Sequence, residues 1–328
     1  MKVSVIMSVY NGERFLVQAI ESILNQTFTD FEFLIMNDGS TDRTQKILEK
    51  YQKKDNRIKL FTQKNKGLAK SLNFLIKQAK GEYIARMDAD DISLPNRLSL
   101  QVKYLDQYIE KGVVASGKYE IAPNGLPFKS ICFPDDHLLI VSYLKKGVNP
   151  IPHGSVMMRK NVVLKLGEEP YRLQISQDFD LWIRLSKITK FGMIPIPLYM
   201  MRRWGQTSSI KFLKYKEEIH KIILNEDPNI EKAIKELNAK LEKVKKIDKC
   251  YSAIQEQKTY EAYLDGKALF RNRYFKPALK KFFVAMKNKE ICFKVFIFFI
   301  LCFLGKYGLI IDNKLRKFSD SFYKFTCE

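Results

Sequence analysis

GEYIARMDADD, Gly81 to Asp91, is a short apolar run that ends in three carboxylates. Tyr83, Ile84, Ala85 and Met87, bounded by Gly81 and the acidic cluster, predict a buried strand. In an open α/β sheet, ligands bind beyond the carboxyl ends of the strands, which sends Asp88, Asp90 and Asp91 towards a crevice. Like charges this close are costly without a counterion. A hard divalent cation, held by one or two carboxylates and by substrate phosphates, resolves the conflict in the way magnesium and manganese are usually bound. A solvated acidic turn capping the helix that follows Pro95 is the other reading of the same letters, and the stretch alone does not separate the two.

Upstream, strand-like and helix-like segments alternate. Val3 to Val9 predicts a strand, and Glu13 to Gln26 a helix, with Phe15, Ala19, Ile20, Ile23 and Leu24 at helical spacing. Phe31 to Met36 is the next strand, ending in Asn37, Asp38, Gly39 and Ser40; then come a helix over Thr41 to Lys54, a strand over Arg57 to Phe61 and a helix over Leu68 to Ala79. Such a β-α-β-α series with short connections predicts a mostly parallel sheet with helices on both faces and a nucleotide site at its carboxyl edge. Neither GxGxxG nor GxxxxGK[ST] occurs, so phosphates must be held by other means.

Downstream, a helix carries Arg97, Leu98, Gln101, Val102 and Leu105, and a strand runs from Val113 to Gly117. A looser region with Pro123, Asn124, Gly125, Pro127 and Pro134 leads to NPIPHGSVMMR, Asn149 to Arg159, a turn entering a short strand. DFDLWIRLSKI, Asp178 to Ile188, predicts a helix with Leu181, Trp182 and Leu185 on one face and Asp178 as its cap. From about Lys211 the strands stop. Apolar residues recur at helical spacing among Lys and Glu, and Tyr260 to Lys287 has the small and aromatic alternation of a packed helix pair. Ile291 to Ile311 is the most apolar stretch. Its uninterrupted core, Val295 to Leu304, is about half the ~20 residues of a spanning helix. Basic flanks, among them Lys287, Lys289, Lys314 and Arg316, suit a helix lying on an anionic leaflet; a buried helix of a C-terminal bundle is the alternative.

With 328 residues, 46% of them apolar, the chain has room for one large catalytic domain and an appendage. A formal charge of +21 implies an anionic partner: nucleic acid, a membrane surface or phosphorylated substrates. The five cysteines form neither a CxxC pair nor a zinc spacing and read as reduced thiols. Lys2 runs straight into the first strand with no small-residue cleavage site, which predicts no secretory signal and a chain facing the cytosol.

Four segments, SVYNG (Ser8–Gly12), NDGSTD (Asn37–Asp42), MDADD (Met87–Asp91) and QDFDLW (Gln177–Trp182), resemble in letters, order and spacing the family 2 glycosyltransferases, an inverting group with a nucleotide-sugar donor. The resemblance covers about Lys2 to Ile210. It implies an α/β, GT-A nucleotide-diphospho-sugar transferase fold over 1–212. The helical spacing and the basic, apolar composition downstream predict a helical C-terminal region over 213–328 with a membrane-association segment at about 291–311. The resemblance also implies roles. Ser8 and Tyr10 contact the nucleoside, and Asp38 pairs with the base. Asp90 ligates a Mn2+ or Mg2+ ion, with Asp88 nearer the ribose and the metal's waters. Arg86 and Lys66 are candidates for supplementing that charge at the diphosphate, each with a surface-cation reading beside it. Asp178 takes the proton of the acceptor hydroxyl, with Asp180 as its rival. Gln177 stands where the family usually has Glu, and Trp204 where it commonly has histidine. His153, Trp204 and Gln206 are candidate acceptor or diphosphate contacts.

The function expected is transfer of a sugar from a UDP-sugar to a glycan or lipid-linked acceptor, at the inner face of the cell membrane, in surface-polysaccharide synthesis. A metal-dependent nucleotidyltransferase would use a similar acidic cluster. A noncatalytic basic module binding nucleic acid or acidic lipid would explain the charge, but the sequence has no helix-turn-helix signal and no aromatic and basic interleaving on a strand face, so no nucleic acid is expected.

Overall fold

In the computed structural model of the chain, the described residues are 1–204, 220–225, 252–285, 297–298, 300–302, 304–305, 308–309 and 312. Four strands, β1 (Val3–Val9), β2 (Phe31–Asn37), β3 (Ile58–Thr62) and β4 (Tyr83–Asp88), alternate with helices α1 (Leu16–Leu24), α2 (Thr44–Lys54) and α3 (Leu68–Gln78). All three pairings among these strands are parallel, in the order β3-β2-β1-β4. Their sequences are apolar almost throughout because both faces are covered. Ile6, Leu34 and Ile84 point to one core with Leu72, Leu75 and Ile76 of α3. Val5, Phe33 and Ala85, each a strand neighbour of one of these, point to the other with Leu16, Ile20 and Leu48.

Beyond β4 the sheet becomes antiparallel. The chain continues through β5 (Ile92–Ser93), α4 (Arg97–Gln107), β6 (Lys111–Ile121), β7 (Pro127–Ile131), α5 (His137–Lys145), a 3-10 turn (His153–Ser155), β8 (Met157–Arg159), α6 (Lys160–Leu164), α7 (Gln177–Leu185) and β9 (Lys190–Arg202). The sheet order runs on as β4-β8-β6-β9-β5, with β7 beside β6. Antiparallel register pairs Ala85 with Met157, Val114 with Met157, and Ser93 with Tyr199. The parallel half agrees with the sequence reading, and the sheet as a whole is mixed. Two elements stand where a looser region was expected. β7 lies within it, and α5 is capped by Asp136, whose carboxylate accepts the Leu139 N–H.

Asp178 is not the cap of α7. Ser176 occupies that position with φ 52° and no side-chain cap bond, and Asp178 lies in the first turn, where a negative charge favours the helix dipole. Nor does the acidic cluster cap α4, since β5 intervenes and Asn96 is the cap residue.

The chain divides into two compact units, Met1–Tyr119 with Ser130–Met201 and Phe212–Lys243, and Glu120–Lys129 with Arg202–Lys211 and Val244–Glu328. The core of the second unit includes α8 (Ser252–Arg271) and α9 (Phe275–Ala285), where Ala262, Ala268, Phe270 and Phe282 pack with Phe298 and Leu301. Among the described residues no helix is long and apolar enough to cross a membrane, and much of 291–311 lies outside them.

At the amino edge of the sheet the Ser4 hydroxyl donates to Glu32 at 2.7 Å and accepts the Gly81 N–H at 2.8 Å, which brings the start of β4 against β1. A Cβ on Gly81 would lie 2.5 Å from the Ser4 nitrogen, backbone against backbone. Gly81→Ala is therefore expected to lower stability by about 1–3 kcal/mol in urea unfolding, with the unfolding slope unchanged.

Candidate active site

The parallel strands end side by side, and their ends carry the motif residues. Ser8 of β1 is in register with Met36 of β2 and with Asp88 of β4. Tyr10, just past β1, is 53% exposed, so its ring face is open. Asn11 follows in the left-handed region at φ 51°. Its side-chain oxygen accepts the Thr41 N–H at 2.8 Å, and its own N–H donates to the Ser40 hydroxyl at 3.0 Å. Those two bonds tie the SVYNG loop to the NDGSTD loop.

Asp38, at the end of β2, is 3% exposed. Its Oδ1 accepts the Gln63 side-chain amide at 2.7 Å and the Lys66 N–H at 2.9 Å, and its Oδ2 accepts the Gly67 N–H at 2.8 Å. Gly67 has φ 89°, a conformation open to glycine, and this aims the two successive N–H groups at one carboxylate. Lys66 thus meets Asp38 through its backbone, while its residue is exposed.

Asp88 ends β4, with its side chain 34% exposed and ion-paired through Oδ1 to Arg86. The Arg86 side chain is 1% exposed. Burial opposes its charge most strongly, but Asp88 and the phenols of Tyr199 and Tyr171 outweigh it and leave its pKa above the ordinary value. Arg97 of α4 is fully buried beside it and donates to the Gly154 carbonyl at 2.6 Å and the Arg86 carbonyl at 3.0 Å. Burial, with Arg86 adding to it, brings Arg97 down to about 10, still cationic at neutral pH. Tyr199 accepts the Asp88 N–H at 3.2 Å. Gly154 comes close enough that a Cβ there would strike the Tyr199 hydroxyl and lie 2.8 Å from Asp88 Oδ2. Asp91 is buried, and Asp90 is partly exposed.

Two further segments meet this end of the sheet. The His153 Nε2 and the Tyr171 hydroxyl are 2.8 Å apart. Tyr171 is fixed by paired bonds with Asn73, both 2.9 Å. Burial pushes the Tyr171 phenol up; Arg86 counteracts it, and Asp178 and Asp88 add to it. Tyr171 is therefore within electrostatic reach of all three charged groups. Asn149 donates to Asp178 Oδ2 at 2.8 Å. Asp180 is fully buried between Arg172 and Arg184, with Arg184 Nη2 2.7 Å from Oδ2. The structure thus brings Ser8, Tyr10, Asp38, Lys66, Arg86, Asp88 and Asp90 to one sheet edge, with His153 bonded to Tyr171 and Asp178 bonded to Asn149. Trp204 belongs to the second unit, and Gln206 lies outside the described residues. Gln63, Arg97, Tyr171 and Tyr199 were not singled out by the sequence as site residues.

No set of three His, Cys, Asp or Glu side chains converges on a metal position among the described residues. The donor set at the β4 end consists of Asp88, with Oδ1 engaged by Arg86, and Asp90. Two carboxylates fit a magnesium-like ion that completes its shell with phosphate oxygens and water, and do not fit an all-protein cage.

A sheet of this kind, with a polar carboxyl edge, defines an α/β GT-A transferase fold. Residues 4–167 match the family model described as Glycosyl transferase family 2. A putative glycosyltransferase of Bacillus subtilis, EpsE, is 40% identical over 189 residues, 56% of this chain and 66% of that protein. The O-antigen biosynthesis glycosyltransferase WbnJ of Escherichia coli is 36% identical over 185 residues, 56% of this chain and 71% of that one. The matched stretch thus leaves about a third of each relative uncovered. The crystal structure of S. aureus TarS 1-349 in complex with UDP superposes with a TM-score of 0.51 at 20% identity, covering 99% of this chain and 92% of that one. The chain belongs to glycosyl transferase family 2.

Asp180→Asn leaves two arginines without their shared carboxylate counter-charge and is expected to cost about 3–5 kcal/mol, read as a lowered Tm. His153 is packed against Tyr171 and Trp182, and burial, with Arg86 adding to it, holds its pKa well below 6.5. The unfolded chain therefore binds a proton near pH 6.5 that the folded chain refuses. The stability is full above 6.5 and declines as pH falls below it. Thermal melts from about pH 7.5 to about pH 5 should show this slope reduced in His153→Gln.

Proposed function

We propose that the chain transfers a sugar, with inversion, from a UDP-sugar to a hydroxyl of a glycan or lipid-linked acceptor in cell-surface polysaccharide synthesis, the work being done by residues 1–212. The observation that carries the reading is the single sheet edge on which Ser8, Asp38 and Asp88 stand on adjacent strands. The O-antigen biosynthesis role of WbnJ supports the choice of pathway. Uridine is favoured by the family resemblance and by the UDP held in the TarS structure.

In this reading the open face of Tyr10 stacks the base, Ser8 lies against the nucleoside, and Asp38 pairs with the base. Asp90 and the remaining oxygen of Asp88 would hold a Mn2+ or Mg2+ ion. Such an ion, when bound, neutralises charge that develops on the diphosphate as the sugar–oxygen bond breaks. Asp178 receives the acceptor's hydroxyl proton as that oxygen bonds to the anomeric carbon, and the nucleoside diphosphate leaves. A single displacement needs one such carboxylate. Asp180 is no rival in this scheme, since it is fully buried and held by two arginines. A double displacement would need a second, nucleophilic group.

The chain is also proposed to work against the anionic inner face of the cell membrane. The charge of +21 supports this, as do the exposed Lys276, Lys280 and Lys281 and the exposed Ile300 and Leu304 of the second unit.

The test is a donor screen with the purified chain and manganese, reading released nucleoside diphosphate. A UDP-sugar is expected to turn over. Asp178→Asn should reduce turnover by ~10²- to 10⁴-fold with Tm unchanged, and Asp90→Asn should abolish the response to metal. Full turnover in Asp178→Asn would remove the base assignment.

A further inference from the structure

We propose that His220, on the helical segment 220–224 that follows β9, is a positioning residue for Asp178: its ring N–H fixes the turn from which Asn149 reaches the Asp178 carboxylate. The proposal rests on the reading of Asp178 as the group that takes the acceptor's proton.

His220 is buried, and Ile223 and Leu224 of the same segment pack into the core that contains Phe179, Leu181 and Trp182 of α7. The imidazole lies where α7 meets the end of α5. Its face stacks on Phe179, the residue after Asp178, with ring centroids 3.8 Å apart and planes 14° apart. At its edge, Nδ1 lies 2.9 Å from the Gly147 carbonyl. A carbonyl only accepts, so in this bond Nδ1 carries the proton.

Gly147 is a place where such a bond has consequences. α5 closes there, with the Gly147 N–H returning to the Leu144 carbonyl at 2.9 Å, and Gly147 stands at φ 77°, where glycine meets little steric resistance. The peptide plane that leaves Gly147 is pinned at both ends. Its N–H, that of Val148, donates to the Tyr143 carbonyl at 2.9 Å, and its carbonyl takes the His220 proton. Two residues beyond Gly147, the Asn149 side-chain oxygen accepts the Ile151 N–H at 3.1 Å, and its nitrogen donates to Asp178 Oδ2 at 2.8 Å. One ring thus touches both sides of the Asn149–Asp178 contact: it is stacked beside the acid and bonded to the turn that carries the amide. Without the ring N–H the Gly147–Val148 plane keeps one anchor, and the amide no longer holds the carboxylate in one orientation. A misplacement of about 1 Å at a reacting group costs on the order of 10²-fold in rate.

The experiment measures release of UDP from UDP-glucose, UDP-galactose and UDP-N-acetylglucosamine by the full chain with manganese, water serving as the acceptor. In His220→Phe, which keeps the stacked ring and loses the donor, kcat is expected to fall by ~10- to 10²-fold with the donor KM within about twofold of wild type. His220→Asn offers an amide N–H near the place of Nδ1 and loses the ring; it should melt lower and yet keep kcat within about threefold of wild type. A role in packing alone predicts the reverse order, with activity following Tm. Asn149→Leu should lower kcat by a factor similar to that of His220→Phe, and the double variant should fall no further, because both changes remove one contact. That pair decides the matter if His220→Asn does not fold. A full kcat in His220→Phe, or factors that multiply in the double variant, overturns the role of His220 and leaves the base reading intact. Full turnover in Asp178→Asn overturns the base reading, and no release of UDP by wild type overturns the donor reading; either takes the role of His220 with it.

Discussion

The pairing of Asp88 with the buried Arg86 guanidinium is the interaction on which the site end of the sheet depends. Acids clustered at a strand end need a counterion, and part of it is supplied by the strand itself, two residues upstream. Placing a guanidinium at 1% exposure is costly, and the pair's net contribution to stability is small. Its consequence is positional. Arg86 requires Asp88 on one side, while Arg97, equally buried, joins the Arg86 carbonyl to that of Gly154. The end of β4 and the turn carrying His153 are thereby held as one piece. Asp88 Oδ1 is committed to this frame, and the other oxygen is left for whatever occupies the edge.

The parallel half of the fold was legible because its strands are short runs bounded by turn residues, and β1, β2 and β4 are apolar and buried on both faces, with the outer β3 partly exposed. The antiparallel half was not. β9, KFGMIPIPLYMMR, contains Pro195 and Pro197, which demote a run to loop in any local reading. In the structure Ile196 is 49% exposed, while Leu198 and Tyr199 are buried again, so the strand survives its prolines through long-range pairing that no window of sequence displays. β5 has two residues and was invisible for the same reason. α5 has an apolar composition without clear helical periodicity, and its one local signal, the Asp136 cap, lay among prolines and acids that suggested a loop.

The same division holds at the site. Asp38, Asp88 and Asp178 stand in recognisable strings of letters. The groups that hold or surround them do not, because each acts across the fold: Tyr199 reaches Asp88 over 111 positions, Arg97 reaches Gly154 over 57, and Asn149 reaches Asp178 over 29. A hydrogen bond between residues so far apart leaves no spacing to read. Gln63 is the intermediate case, 25 positions from Asp38 and at the end of the neighbouring strand. Parallel pairing of Asn37 with Thr62 would have placed it there had the register been known.

Environment, not residue type, separates the two aspartates of α7. Asp178 and Asp180 share a helix turn and a motif, and both were candidates for the same proton. Asp180 faces inward, fully buried, with its oxygens on Arg172 and Arg184, so no acceptor hydroxyl can come within bonding distance of it. Asp178 receives a neutral amide from Asn149 and lies within reach of the Tyr171 phenol, whose charged neighbours also include Arg86 and Asp88. Asp178 is partly exposed and carries a neutral amide on one oxygen, whereas Asp180 is buried and clasped by two guanidiniums. Two positions along one helix thus separate a partly exposed acid from one that anchors the fold.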